Sequence, residues 1–371
     1  MIEVPKNGGG EMGSGSSKER QGPIKRVLAI VPAHNEEKNL PIVIRGLKAQ
    51  TYPTTVCIVS DNSTDNTAAL ARELGADIVT ETVGNTGMRA GAINWGLKHF
   101  SGDYDYVLAM DADSTCAPSM IAEGKKMLED DLRLGAVCSR AGVLPQSELK
   151  SIEQKILWHL QHLEYGTYDS SRVETTGMIK VAHGLATLFR REALDGQLRT
   201  HGYVYNIKAL TEDYTLTLDL KEQGWRITSC QQMLAWTIVP TRVRWWWKQR
   251  SRWNLGGLDT LVSHGLSKYT FWDWFAHAMS VFLFLVEVMV CSLIVYLAYH
   301  GEPVYVSGLF WIVAGTMWFG SLYRLRYVQS LDKWDILMCV SFLPAVLYYY
   351  LQLAVLLNSY KQYLAGEKRS Y

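Results

Sequence analysis

The 371-residue chain has no cysteine pattern with a chemical use. Its six cysteines (Cys57, Cys116, Cys138, Cys230, Cys291, Cys339) make no C-x-x-C pair and no metal-ligand spacing. That excludes cysteine-based metal sites and makes a reduced, cytosolic setting the simplest for most of the chain. Charge of one sign is lacking too: 37 Lys and Arg face 36 Asp and Glu. No global field therefore draws nucleic acid, and basic function must come from local clusters. Residues 1–25 contain no apolar h-region, so no cleavable signal peptide is expected. They are Gly/Ser-rich with scattered charge and read as a disordered tail.

From residue 26 to about 115, short β-branched runs alternate with helical spacing. "RVLAIVPAH", "TVCIVSD", "DIVT" and "YVLAMD" read as strands. "EEKNLPIVIRGLKAQ", "STDNTAALARELGA" and "RAGAINWGLKHF" read as helices, the second closing on Gly75. This alternation predicts an α/β fold on a parallel sheet with helices on both faces. Ligands of such sheets sit at the carboxyl ends of strands. Three of these strands end on polar residues: His34-Asn35-Glu36, Asp61-Asn62-Ser63 and Asp111-Ala112-Asp113. Residues up to 240 read as one domain, with a helix over 211–226 capped by Thr211 and ended by Gly224.

Beyond 240 the character changes. "TRVRWWWKQRSRW" is basic and aromatic, and the 241–272 stretch reads as interfacial helices. Three apolar stretches of about 20 residues follow within 273–360, each long enough to span a bilayer. The third is interrupted by Pro344 and Gln352, which suggests a broken or re-entrant element. Glu287 in the first is a functional candidate by its cost in lipid, with His277 as a possible partner. Arg324, Arg326 and Lys333 place the loop before the third stretch in the cytosol, with the large N-terminal domain beside it. Residues 361–371 form a tail.

Asp111 and Asp113 lie one residue apart at the end of a buried-looking strand. Two carboxylates this close repel unless a cation or hydrogen-bond donors share the site. Hard oxygen ligands of this kind suit Mg²⁺ or Mn²⁺ together with substrate phosphates. Gln249, Arg252 and Trp253 fall at i, i+3 and i+4, so a helix puts them on one face. Glu212 and Asp213 on their own fit a helix N-terminus.

Together, "VPAHNEE" (31–37), "VSDNSTDNT" (59–67), "GMRAGAIN" (87–94), "DAD" (111–113), "TED" (211–213) and "QRSRW" (249–253) resemble the family-2 glycosyltransferases of GT-A fold. The likeness is to the membrane synthase branch, which makes cellulose, chitin, hyaluronan and poly-N-acetylglucosamine. It covers roughly residues 27–360. It implies a Rossmann-like mixed sheet binding a nucleotide sugar, followed by C-terminal transmembrane helices. It also implies roles. Glu36 and Asp61 contact the nucleoside, with Ser60 replacing the family's first Asp of D-D-G-S. Arg89 approaches the phosphates, Asp111 lies by the nucleotide, and Asp113 binds Mg²⁺ or Mn²⁺. Asp213, with Glu212 beside it, serves as general base. Gln249, Arg252 and Trp253 meet the diphosphate and the acceptor.

The implied reaction is inverting transfer from a nucleotide sugar, expected to be UDP-linked, to a glycan, with processive synthesis as one form. A single transfer to a lipid or protein acceptor is the alternative, and a non-catalytic subunit retaining the fold is the second. The implied protein is integral to the membrane, in contact with its lipids, with the catalytic domain cytoplasmic and no nucleic-acid partner. The family's large synthases carry further membrane helices before the catalytic domain; with three C-terminal segments, either several protomers build a polymer channel as a homo-oligomer, or no polymer is translocated.

Overall fold

The computed structural model describes residues 25–146, 149–174, 178–305, 308–341 and 343–366. The tail readings for residues 1–24 and 367–371 lie outside them. Strands β1 (Val27–Ala33), β2 (Thr54–Asp61), β3 (Ile78–Thr82) and β4 (Tyr106–Met110) run parallel, as the alternation predicts. Helices α1 (Leu40–Lys48), α2 (Thr67–Glu73) and α3 (Met88–Phe100) connect them. Gly75 ends α2 at φ +79°, a left-handed stop that glycine takes without steric cost.

Both faces of β1 and β4 are buried, which explains their unbroken apolar runs. Leu28, Ile30, Val107 and Ala109 pack with α3 on one side. Val27, Ala29, Val31, Leu108 and Met110 pack with α1 on the other.

After β4 the sheet becomes mixed. The chain continues through β5 (Ser114–Cys116), α4 (Met120–Asp130), β6 (Leu134–Val143), α5 (Ile152–Glu174), β7 (Ala186–Arg190), α6 (Arg191–His201), α7 (Glu212–Glu222) and β8 (Arg226–Thr237). The strand order is β3-β2-β1-β4-β7-β6-β8-β5. β7 is antiparallel to β4 and β6, while β8 is parallel to β6 and antiparallel to β5. Thr211 stands at the N-cap of α7 without a side-chain capping bond, and Gly224 follows its end at φ +91°.

Where several interfacial helices are expected, one long helix runs: α8 (Val243–His264). The three apolar stretches also resolve differently. Only α9 (Phe271–Tyr299) is by itself long and apolar enough to cross a membrane, and none of its residues is buried. α10 (Gly308–Arg324) has 17 residues. The third stretch is broken: α11 (Lys333–Ser341) and α12 (Leu343–Leu364) meet at 78°. Pro344 explains the break. It lacks an N–H and its ring clashes inside a continuing helix, but it fits the first turn of a new one.

Both ends of this bent pair lie against the catalytic domain. Near its start, Asp335 accepts hydrogen bonds from His159 (2.8 Å) and His162 (3.0 Å) of α5. Before it, Arg140 of β6 donates to the Tyr327 carbonyl (2.9 Å), so the loop after Arg324 is held on the same side. At the far end, Gln362, Tyr363 and Gly366 line the cavity described below. Between the ends, the Tyr350 hydroxyl donates to Glu287, and His277 meets the Tyr360 hydroxyl at 2.6 Å. Glu287 and His277 therefore each pair with α12 instead of with one another.

Candidate active site

The carboxyl ends of β1, β2 and β4 open into one cavity of about 1580 Å³. Single-ligand pockets run to roughly 1,000 Å³, so this one has room for two substrates. Glu36, Asp61, Arg89, Asp111, Asp113 and Glu212 line its sheet side, and Gln249 and Arg252 line its α8 side. Residues from distant segments thus converge as the motif order implies.

Each strand-end loop has a specific local cause. Asn35 and Asn62 adopt positive φ (55° and 48°), a region that asparagine tolerates, and turn the chain back at the ends of β1 and β2. Met88 does so at 48° where α3 begins, beside Arg89. For a long side chain this conformation carries backbone strain, and strain of this kind clusters at functional sites. Asp61 is buried and its carboxylate accepts from Thr82 (2.6 Å) and Asn85 (2.8 Å). Glu36 accepts from Asn39 (2.7 Å); burial nevertheless raises its pKa above the ordinary carboxylate value. Asn85 was not singled out in the sequence, yet it fixes Asp61 and also donates to the Met88 carbonyl at 2.9 Å.

Arg89 does not stand free for phosphate, as its motif position suggests. Its guanidinium donates to Asp111 (2.6 Å), Glu212 (2.9 Å) and the Gly184 carbonyl (3.1 Å). Burial disfavours its charge, but the two carboxylates more than offset that. Gly184 is required for this approach, because a Cβ there would lie 2.5 Å from Nη2 of Arg89.

The ion pair also separates the two acids of the T-E-D motif. Glu212 is committed to Arg89. Asp213 accepts only the Tyr214 backbone N–H (2.8 Å) among the described residues. Burial and the neighbouring Glu212 raise its pKa, outweighing Arg89. Of the pair, Glu212 lines the cavity, while Asp213, the next residue of α7 and half-buried, is not among the residues that line it.

Asp113 accepts weak bonds from Ser114 (3.1 Å) and Thr237 (3.3 Å). Burial, with Asp111 next to it, pushes its carboxyl up to about 7. Arg89 neutralises Asp111 on one side and leaves Asp113 without a cationic partner among the described residues. A divalent ion on oxygen ligands fits that deficit, with Asp113 and Asp111 as the residues that would hold it. Two other clusters have metal-like spacing, His159–Asp332–Asp335 and Asp219–Glu222–His264. Internal hydrogen bonds satisfy both: Asp332 and Asp335 cap α11 reciprocally, and His264 bridges Asp219 and the Thr260 carbonyl.

On α8, Gln249 and Arg252 face the cavity, but Trp253 does not line it. The shared face expected for the three residues is thus only partly realised. The Trp253 ring instead packs on the Arg250 guanidinium, 4.2 Å away. Arg244, Trp245, Trp247 and Lys248, from the basic, aromatic run read as interfacial, line the cavity. Trp246 is fully buried and donates to the Tyr348 hydroxyl at 2.9 Å.

A mixed α/β sheet of GT-A type, with an acid-lined cavity at its strand ends, is the class that fold and site define. Residues 28–197 match the model of "Glycosyl transferase family 2". Among curated proteins, the poly-beta-1,6-N-acetyl-D-glucosamine synthase of Staphylococcus aureus (strain COL) is 29% identical over 249 residues, 64% of this chain and 56% of that protein. The Staphylococcus epidermidis enzyme of the same name is 28% identical over 250 residues, with the same coverages. The chain thus spans little more than half the length of these relatives. Among solved structures, a mannosyltransferase from Pyrobaculum calidifontis, in complex with GDP-Man and Mn²⁺, superposes with a TM-score of 0.56. At 17% identity, over 92% of this chain and 88% of that one, it supports the fold alone.

Proposed function

We propose that the protein is a membrane-bound, inverting glycosyltransferase that moves a sugar from a nucleotide sugar to a glycan acceptor. One observation carries this reading: the strand-end acids, Glu212 of the T-E-D motif, and Gln249 and Arg252 of the Q-x-x-R-W helix bound a single cavity large enough for donor and acceptor, with Asp213 next to Glu212 in the chain. Asp61 and Glu36 hold the nucleoside end, the former as a fixed acceptor. Asp213 takes the acceptor hydroxyl proton as the new bond forms at the anomeric carbon and the bond to the diphosphate breaks. It suits this role better than Glu212, because a salt-bridged carboxylate is a poor base. Arg252 faces the leaving diphosphate. A divalent cation at Asp113 and Asp111, when bound, supplies further positive charge there. Arg89 keeps Asp111 and Glu212 in place without contacting substrate.

The names of the curated relatives favour a β-linked N-acetylglucosamine polymer as product and UDP-N-acetylglucosamine as donor. The long, apolar and unburied α9 favours attachment to a membrane, with the catalytic domain cytoplasmic. The test is purified protein in detergent with Mg²⁺ or Mn²⁺ and a panel of UDP- and GDP-sugars. Release of nucleoside diphosphate from one of them is expected. Asp213→Asn should lower turnover by about 10²–10⁴-fold, the usual share of a general base, with nucleotide binding retained. Normal turnover by that variant overturns the base assignment. A ladder of products indicates polymerisation, and one product size a single transfer.

A further inference from the structure

Arg250 lies inside the Q-x-x-R-W segment but belongs to neither its glutamine, its arginine nor its tryptophan. Its side chain nonetheless touches two of the three, Gln249 and Trp253. Nη1 donates to the Gln249 side-chain oxygen at 3.0 Å. The guanidinium plane lies 4.2 Å from the Trp253 ring centroid, within cation–π range. Nη2 donates to Oε2 of Glu164 at 2.6 Å. Arg250 is buried, with 6% of its surface exposed, so its charge needs a partner, and Glu164 of α5 supplies it.

Glu164 is itself a junction. The same Oε2 accepts the Tyr348 hydroxyl at 2.6 Å, and Oε1 accepts the Gln352 side-chain amide at 3.2 Å. Both donors come from α12. The Tyr348 hydroxyl also accepts from Trp246 of α8. Three segments far apart in sequence, α5, α8 and α12, therefore meet at one carboxylate.

We infer that the Glu164–Arg250 pair positions the acceptor end of the active site, with Arg250 holding Gln249 at the cavity wall and bracing on the Trp253 ring outside it, and α12 holding Glu164. Neither residue of the pair touches the reacting atoms. This rests on the glycosyl-transfer reading above. The geometry makes a specific demand on Arg250. A lysine would retain the charge pair with Glu164, but it has no planar fork to reach Gln249 while stacking on Trp253.

The test compares wild type with Arg250→Lys and Tyr348→Phe in detergent. The donor is UDP-N-acetylglucosamine and the acceptor a β-1,6-linked N-acetylglucosamine tetramer. UDP binding and hydrolysis of donor to water are expected to stay within about twofold of wild type in both variants. Transfer to the tetramer, relative to that hydrolysis, should fall at least tenfold in R250K and a few-fold in Y348F, through a higher acceptor KM. Parallel loss of hydrolysis and transfer overturns the inference, since it would mark a general structural role. So does wild-type partition in R250K. Should R250K fail to fold, Y348F carries the same comparison. A wild type inactive on every donor sinks the glycosyl-transfer reading instead. The inference is then judged by a structure of R250K, and Gln249 and Trp253 in unchanged places there would overturn it.

Discussion

Two adjacent carboxylates, Glu212 and Asp213, differ in one decisive respect: Arg89 claims only the first. The ion pair stabilises ionised Glu212 and leaves Asp213 to the effects of burial and a like-charged neighbour, which raise its pKa. A base works only when deprotonated. The acid limb of the pH–rate profile should therefore lie above the ordinary carboxylate range, and Glu212→Gln should shift that limb toward lower pH by removing the neighbouring negative charge. Rates measured across pH 4–8 check this, and an unmoved limb in E212Q sinks it. The strand-end acids were legible in the sequence because each ends a buried run, where a charge has no structural reason to be. The true partner of Arg89 was not. Its contact with Glu212 spans 123 positions and depends on Gly184 leaving space, neither of which leaves a periodic trace.

At the level of elements, α7 and α8 carry the two halves of the chemistry, and their mutual placement decides whether the halves face one another. At the start of α7, Thr211 is met by Gly256 from the second half of α8, where a Cβ would come within 2.6 Å of the threonine methyl. Farther along, His264 of α8 meets the buried Asp219 carboxylate of α7 at 3.0 Å. That bond raises the His264 pKa against the opposing effect of burial. A group whose pKa is higher folded than unfolded stabilises the fold fully below its unfolded value of 6.5, and this stabilisation is lost as pH rises through the folded value. The melting temperature in detergent should therefore fall from pH 6 toward pH 8. His264→Gln should flatten that dependence and lower stability at pH 6 by about 1.5–3 kcal/mol, the size of a hydrogen bond to a charged group. A slope that survives in H264Q assigns the pH dependence elsewhere. Helix α7 itself was readable from its acidic first turn and closing glycine. That α8 would be one helix, with Trp246 buried and Trp253 turned onto an arginine, was not. A tryptophan-rich basic run fits a headgroup interface or a protein interior equally well until its neighbours are known.

For the whole molecule, the parallel half of the sheet followed from strand–helix alternation, whereas the antiparallel insertion of β7 between β4 and β6 did not. A single short strand does not declare its direction. The apolar C-terminal third was visible as composition, but its division into spans depended on where helices break. Pro344 marked the place; the 78° bend it introduces turns α12 back toward the catalytic cavity.

That return fixes a geography. If α11 enters from the side of the sheet and α12 comes home to the same side, a protein tag joined behind Gly366 must share a compartment with the sugar-transferring domain. Green fluorescent protein fused there should glow in bacteria and alkaline phosphatase should stay dark, and the opposite colours would mean that the last helix runs straight through.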